Sequence, residues 1–166
     1  MNTLAWLDRL TSIDTTSRNS NLGLIETVRD ALKGHGLDPW LNLNAQGTKA
    51  NLFCTLPAQD GATQGGIALS GHTDVVPVDG QNWSSDPFKL TENAGKLYAR
   101  GACDMKGFIA ASLALVPEFM ALPRSKPMHL ALSYDEEISC LGAPFMLAEL
   151  QRRGIRVDGC IVGEPT

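Results

Sequence analysis

Three short apolar runs in this chain each give way abruptly to ligand-type polar residues, and this pattern restricts the fold more than any other feature. Residues 66–70 lead into His72 and Asp74, residues 128–133 into Asp135, Glu136 and Glu137, and residues 160–162 into Glu164. Short continuous apolar runs bounded by polar residues read as buried strands, the kind a parallel sheet covers on both faces. Between them the periodicity turns helical. Leu4, Leu7 and Leu10 mark a short first helix. Leu22, Ile25, Val28 and Leu32 mark a second that stops at Gly34-His35-Gly36. Met105 opens a third, with Phe108, Ile109, Ser112, Leu113, Val116 and Met120 on one face, and Pro117 should kink or end it. Pro144 suits the first turn of a helix running to about Gln151. Residues 12–17 read as polar turn, 37–43 as a weak strand interrupted by Pro39, 51–56 as a stronger one, 75–91 as mostly loop and 96–100 as a further short strand. Strands alternating with helices predict an α/β fold around a largely parallel sheet. The 166 residues suit one domain with a substantial core.

Several function classes recede on composition. The net charge is −4 and the basic residues are scattered, so no electrostatic footprint for nucleic acid is present. No apolar run approaches the ~20 residues of a membrane span. The segment Met1-Asn2-Thr3-Leu4 lacks the basic and apolar regions of a signal peptide, so the cytoplasm is the expected compartment. The cysteines Cys54, Cys103, Cys140 and Cys160 form no C-x-x-C pair, which removes a thiolate zinc site of the usual spacing. Three of them lie in apolar runs and are expected to be buried free thiols; Cys103 stands apart, beside Asp104.

Open α/β sheets bind ligands outside the carboxyl ends of their strands. By that rule His72, Asp74, Glu136, Glu137 and Glu164 converge on one edge, joined by Asp104 at the predicted start of the third helix. One imidazole among several carboxylates suits zinc, manganese or cobalt better than calcium or magnesium. It also suits a pair of cations sharing a carboxylate. Each residue alone has a plainer reading: Asp104 as a helix cap, Glu136 and Glu137 as solvated loop charges, Glu164 and Asp74 as turn residues, His72 as a satisfied core histidine. Their common location weighs against all of these jointly. His35 and His129 lack that location and read as structural or exposed. If the backbone at Glu136 and Glu137 is extended, their side chains diverge, leaving one to hold a metal and the other to serve as general base. Asp74, two residues after His72, is placed to accept the second ring N–H of His72.

These residues resemble known signatures. Ser70-Gly71-His72-Thr73-Asp74-Val75-Val76-Pro77, Gly101-Ala102-Cys103-Asp104-Met105-Lys106-Gly107, Asp135-Glu136-Glu137 and Gly163-Glu164-Pro165-Thr166 resemble, in order and spacing, the four signature blocks of the zinc exopeptidase and deacylase family. That family includes the acetylornithine deacetylases, succinyl-diaminopimelate desuccinylases and aminoacylases. Residues 13–17, 78–88 and 131–137 are most similar to the acetylornithine deacetylase branch of bacterial arginine biosynthesis. The resemblance implies a three-layer α/β/α fold with a largely parallel mixed sheet, and a cis peptide just after Asp104. It implies two zinc ions per full-length subunit, with cobalt or manganese able to substitute. It gives His72 and Glu164 to one metal, Asp104 to both, Glu137 to the second, Glu136 as general base and Asp74 as the residue orienting His72. The family pattern places a glycine where this chain has Ser139.

The implied reaction is hydrolysis of an N-acyl amino acid, first of all N-acetyl-L-ornithine to L-ornithine and acetate. Acetylcitrulline and succinyl-diaminopimelate are alternative substrates, and a metal-binding unit without catalysis is an alternative role. A glycosidase is a third reading, requiring two carboxylates ~5–9.5 Å apart across a sugar. The resemblance also implies that residues 1–166 are the N-terminal part of a catalytic domain. Relatives add a dimerisation domain and a return segment supplying a histidine for the second metal. The full-length protein is therefore expected to be a homodimer, and this chain alone a weak enzyme.

Overall fold

A computed structural model describes residues 1–165. Helix α1, Thr3–Thr11, begins with Asn2 accepting the Ala5 N–H at 2.9 Å. Helix α2 spans Leu22–Gly34 and buries Leu24, Ile25, Val28 and Leu32. Strand β1, Trp40–Leu43, starts directly after Pro39, whose missing N–H could not serve a ladder. Strand β2, Ala50–Leu56, runs antiparallel to it. Strand β3 is Ile67–His72. A hairpin follows, β4 Thr91–Asn93 and β5 Lys96–Tyr98, turning through Ala94 and Gly95, both at positive φ. The expected strand at 96–100 is therefore real but shorter, and its partner is an element the periodicity did not reveal.

Helices α3, Gly107–Ala114, and α4, Val116–Ala121, break at Leu115, with Pro117 in the first turn of α4. Strand β6 is Met128–Ser133, helix α5 Gly142–Arg152 and strand β7 Gly159–Val162. The sheet order is β1-β2-β6-β3-β7. Strands β6, β3 and β7 run parallel, while β1 and β2 form an antiparallel edge. This is the expected α/β architecture with a mixed sheet.

Side-chain alternation along β2 and β6 separates the two faces. Leu52, Cys54, Leu56, Leu130 and Leu132 face α1, α2 and α3, whereas Phe53 and Ala131 face α5 through Met146. Leu10, Leu24 and Ile25 are wholly inaccessible, each contributing about 1.5–3 kcal/mol through burial. His129 is structural, as its context suggested: its Nε2 lies 2.8 Å from the Gly65 carbonyl, its Nδ1 3.0 Å from Thr55 Oγ1, and its ring stacks on Phe53. His35 is exposed. Among the described residues no helix is long and apolar enough to cross a membrane.

Three expectations need correction. The third helix opens at Gly107, not Met105, because Asp104 (φ −114°, ψ 99°) and Met105 (φ −131°, ψ 28°) are non-helical and joined by a cis peptide. Asp104 is thus no helix cap. Met120 is 39% exposed, because the break at Leu115 takes it off the face shared by Ile109 and Leu113. Of the three cysteines expected to be buried only Cys54 is; Cys140 and Cys160 are exposed, as is Cys103, which was set apart from them.

Candidate metal centre

Strand register sets the site. His72 pairs with Ser133 across β3 and β6, and Ser70 pairs with Val162 across β3 and β7. The chain therefore leaves all three parallel strands at one edge, where His72, the Glu136-Glu137 turn and Glu164 follow. His72 is 2% exposed. Its Nδ1 lies 2.9 Å from the main-chain oxygen of Asp74. A carbonyl only accepts, so Nδ1 carries the hydrogen, and with a cation on its other side the neutral ring would offer that cation the Nε2 lone pair. There Asp104 Oδ1 stands at 2.9 Å, Glu164 Oε2 at 3.5 Å and Glu136 Oε2 at 3.9 Å. Ligand atoms of His72, Glu136 and Glu164 lie within 4.8 Å of one another, as do those of His72, Asp104 and Glu137. A cleft of about 230 Å³, lined by His72, Met105, Glu136, Cys140 and Glu164 among others, opens onto this cluster.

Asp74 does more than the spacing suggested. The contact to His72 is made chiefly by its main chain, with carboxylate Oδ1 at 3.5 Å. The carboxylate instead accepts the Glu136 N–H at 2.9 Å, the Glu137 N–H at 3.2 Å and the Ser17 hydroxyl at 2.7 Å. Burial raises its pKa, but His72, Ser17 and the Glu136 N–H together hold it below the ordinary carboxylate value. Glu136 and Glu137 diverge, though not on extended backbone: Asp135 at φ +56° turns the chain, and each glutamate enters a different trio with His72. Ser139, at the position where a glycine was expected, has φ +88°, a region that favours glycine.

Two further devices hold Asp104 and Glu164. Lys106 is wholly buried, donating to the carbonyls of Leu10 at 3.0 Å and Ile13 at 2.9 Å, which ties the segment after Asp104 to the end of α1. Burial lowers its pKa to about 8. Gly163 passes so close to Phe108 that a Cβ would sit 2.0 Å from the ring, so only glycine lets the chain deliver Glu164 here.

The electrostatics describe a cluster short of positive charge. Burial and then Asp104 raise the pKa of Glu137, and the same two causes raise that of Glu164. Burial alone would depress the His72 pKa, but Asp74, Asp104 and Glu164 outweigh it and lift it to about 9. Carboxylates crowded round one imidazole are self-repelling unless a cation joins them, and this donor set fits zinc, cobalt or manganese. All six predicted residues, His72, Asp74, Asp104, Glu136, Glu137 and Glu164, come together. Sequence reasoning missed Ser17, assigned to polar turn. It also missed Cys140 as a cleft residue, with Sγ 3.5 Å from Glu136 Oε1. The run Thr15-Thr16-Ser17 offered a signal, since small hydroxyls in a turn can bond a neighbouring strand end.

A strand-edge cluster of one histidine and several carboxylates on a mixed α/β sheet is a donor set able to hold divalent cations. The profile of Peptidase family M20/M25/M40 matches residues 68–166, and the chain belongs to that family. It is 39% identical over 158 residues to the acetylornithine deacetylase of Pasteurella multocida (strain Pm70), covering 95% of this chain and 40% of that protein. It is 42% identical over 119 residues to the acetylornithine deacetylase of Yersinia pseudotuberculosis serotype O:1b (strain IP 31758), covering 71% of this chain and 30% of that one. The chain thus spans well under half the length of these curated relatives. Among solved structures, human carnosine dipeptidase 1 superimposes with a TM-score of 0.79 at 23% identity, covering 98% of this chain and 38% of that one. The M20 family metallo-carboxypeptidase Sso-CP2 from Sulfolobus solfataricus gives 0.77 at 22%, covering 98% and 37%. At those identities the likeness is one of fold.

Proposed function

We propose that this chain is the N-terminal part of the catalytic domain of a metal-dependent deacylase that hydrolyses N-acetyl-L-ornithine to L-ornithine and acetate in arginine biosynthesis. The observation that carries the reading is the approach of Asp104, Glu164 and Glu136 to the Nε2 face of His72. The names and identities of the curated relatives support the choice of substrate over acetylcitrulline or succinyl-diaminopimelate. His72 and Glu164 would hold one zinc ion, Asp104 would be shared, and Glu137 would serve a second. Bound there, such cations polarise an amide oxygen and lower the pKa of water towards ~7. Glu136 lines the cleft and takes the proton from the attacking water, then returns it to the departing amine. His72 holds its ligand tautomer through Asp74, and Asp74 holds the main chain of both glutamates.

Two features support further chain covering this unit in the intact protein. Strand β7 is an edge with Ile161 54% and Val162 60% exposed. An apolar cavity of about 180 Å³ lies open between the sheet and α5. The missing ligands of the second metal, the dimer contact and the substrate carboxylate site would lie in that further chain, and residues 1–166 alone would turn over poorly. The intact gene product should release ornithine from N-acetyl-L-ornithine, lose at least ~10²-fold of its rate on chelation and regain it with zinc or cobalt. Full activity surviving a strong chelator would reject the reading.

A further inference from the structure

The loop that carries Lys49 contributes no ligand, yet Lys49 reaches the turn that carries the two glutamates. Its Nζ lies 2.5 Å from Asp135 Oδ1 and 2.5 Å from the main-chain oxygen of Ser17. Asp135 is buried and Lys49 largely so, their side chains 7% and 14% exposed. The lysine is itself held: Asn44 Oδ1 accepts the N–H groups of Thr48 and Lys49 at 2.9 and 3.1 Å, and the Asn44 N–H donates to the Lys49 carbonyl. These contacts close a ring. Lys49 binds Asp135, Asp135 continues into Glu136, the Glu136 N–H donates to Asp74, Asp74 accepts the Ser17 hydroxyl, and the Ser17 carbonyl accepts from Lys49. The ring joins the loop after α1, the start of β2 and the ends of β3 and β6. It clamps Asp135 at φ +56°, in the left-handed region that few non-glycine residues adopt.

We propose that Lys49 is a positioning residue for Glu136, acting through its ion pair with Asp135. The proposal rests on the reading of Glu136 as the general base. Lys49 makes no hydrogen bond or ion pair with His72, Asp104, Glu136, Glu137 or Glu164; it fixes the backbone turn from which Glu136 enters the cleft. Misplacing a reacting group by about 1 Å can cost ~10²-fold in rate.

The test compares K49M, K49R and the double variant K49M/D135N in the intact, zinc-loaded gene product with N-acetyl-L-ornithine. K49M should lower kcat about 10- to 100-fold with KM changed less than about threefold, and K49R should restore most of the loss. K49M alone leaves a buried carboxylate unpaired and lowers Tm; the double variant removes both charges and should recover Tm. Its kcat should stay low, because the clamp is still missing. Zinc content should remain at the wild-type stoichiometry in all three. Recovery of kcat together with Tm in the double variant would overturn the proposal, as would wild-type kcat in K49M. E136Q, run alongside, separates the two readings: its collapse beside an unaffected K49M rejects only the role of Lys49, whereas its full activity rejects the general base and the positioning role with it.

Discussion

Replacing Glu136 by Gln should lower kcat by about 10²–10⁴-fold while zinc content and Tm stay near wild type. Gln keeps the size of the side chain and leaves untouched the Glu136 N–H that donates to Asp74. What it loses is the ability to take a proton and give it back. Both halves of the proposed cycle need that ability, since the water must lose a proton and the amine must gain one. Glu164, Asp104 and Glu137 remain around His72, so the zinc ions have their donors. Steady-state kinetics with metal analysis on the same sample checks this. Retained turnover would sink the assignment of Glu136, and loss of one zinc equivalent would recast it as a ligand.

Asp74→Asn should be nearly as damaging, by a different route. Both carboxylate oxygens of Asp74 accept: Oδ1 from the Glu136 N–H, Oδ2 from the Glu137 N–H and the Ser17 hydroxyl. An amide offers one accepting oxygen and turns an NH₂ towards a main-chain donor. Asp74 is 2% exposed, so no water can substitute. One buried N–H without an acceptor costs about 1–3 kcal/mol, roughly 5 °C in Tm for a chain of this size. The turn carrying Glu136 and Glu137 shifts with it, and kcat should fall on the order of 10²-fold. Because the Nδ1 of His72 is held by the main-chain oxygen of Asp74, the zinc on His72 should be retained and the second one loosened. Were Asp74 acting on His72 alone, the zinc on His72 would be lost first. Zinc titration of the variant distinguishes the two.

The strands and the convergence of His72, Asp104, Glu136, Glu137 and Glu164 were legible because the strand ends are written locally. Residues 67–72 and 128–133 are apolar runs that stop at polar residues, and parallel register carries their ends to one edge. The conformation around Asp104 was legible only through the family resemblance, which implied the cis peptide found there, and not in the local pattern. The helical period of Phe108, Ile109 and Leu113 extends smoothly back to Met105, and nothing local announces that the backbone departs from helix there. Lys49 was invisible, and Ser17 was signalled only by its run of small hydroxyls, for another reason: their partners are main-chain oxygens and carboxylates brought close only by the tertiary fold. Ser139 is the reverse case. The family pattern called for glycine, and the positive φ shows why, with serine accommodated in the turn. Cys140 and Cys160, two of the three cysteines in apolar runs, proved exposed, since apolar neighbours along the sequence do not guarantee cover from the opposite face.

The cation centre at His72 is tested most directly by diffraction from zinc-loaded crystals on both sides of the zinc absorption edge. A strong anomalous peak about 2.0–2.2 Å from His72 Nε2 and from carboxylate oxygens of Asp104 and Glu164 is the expected result, with any second peak about 3.5–4 Å away across Asp104. Zinc bound elsewhere, with His72 Nε2 left in direct contact with Asp104, would contradict it.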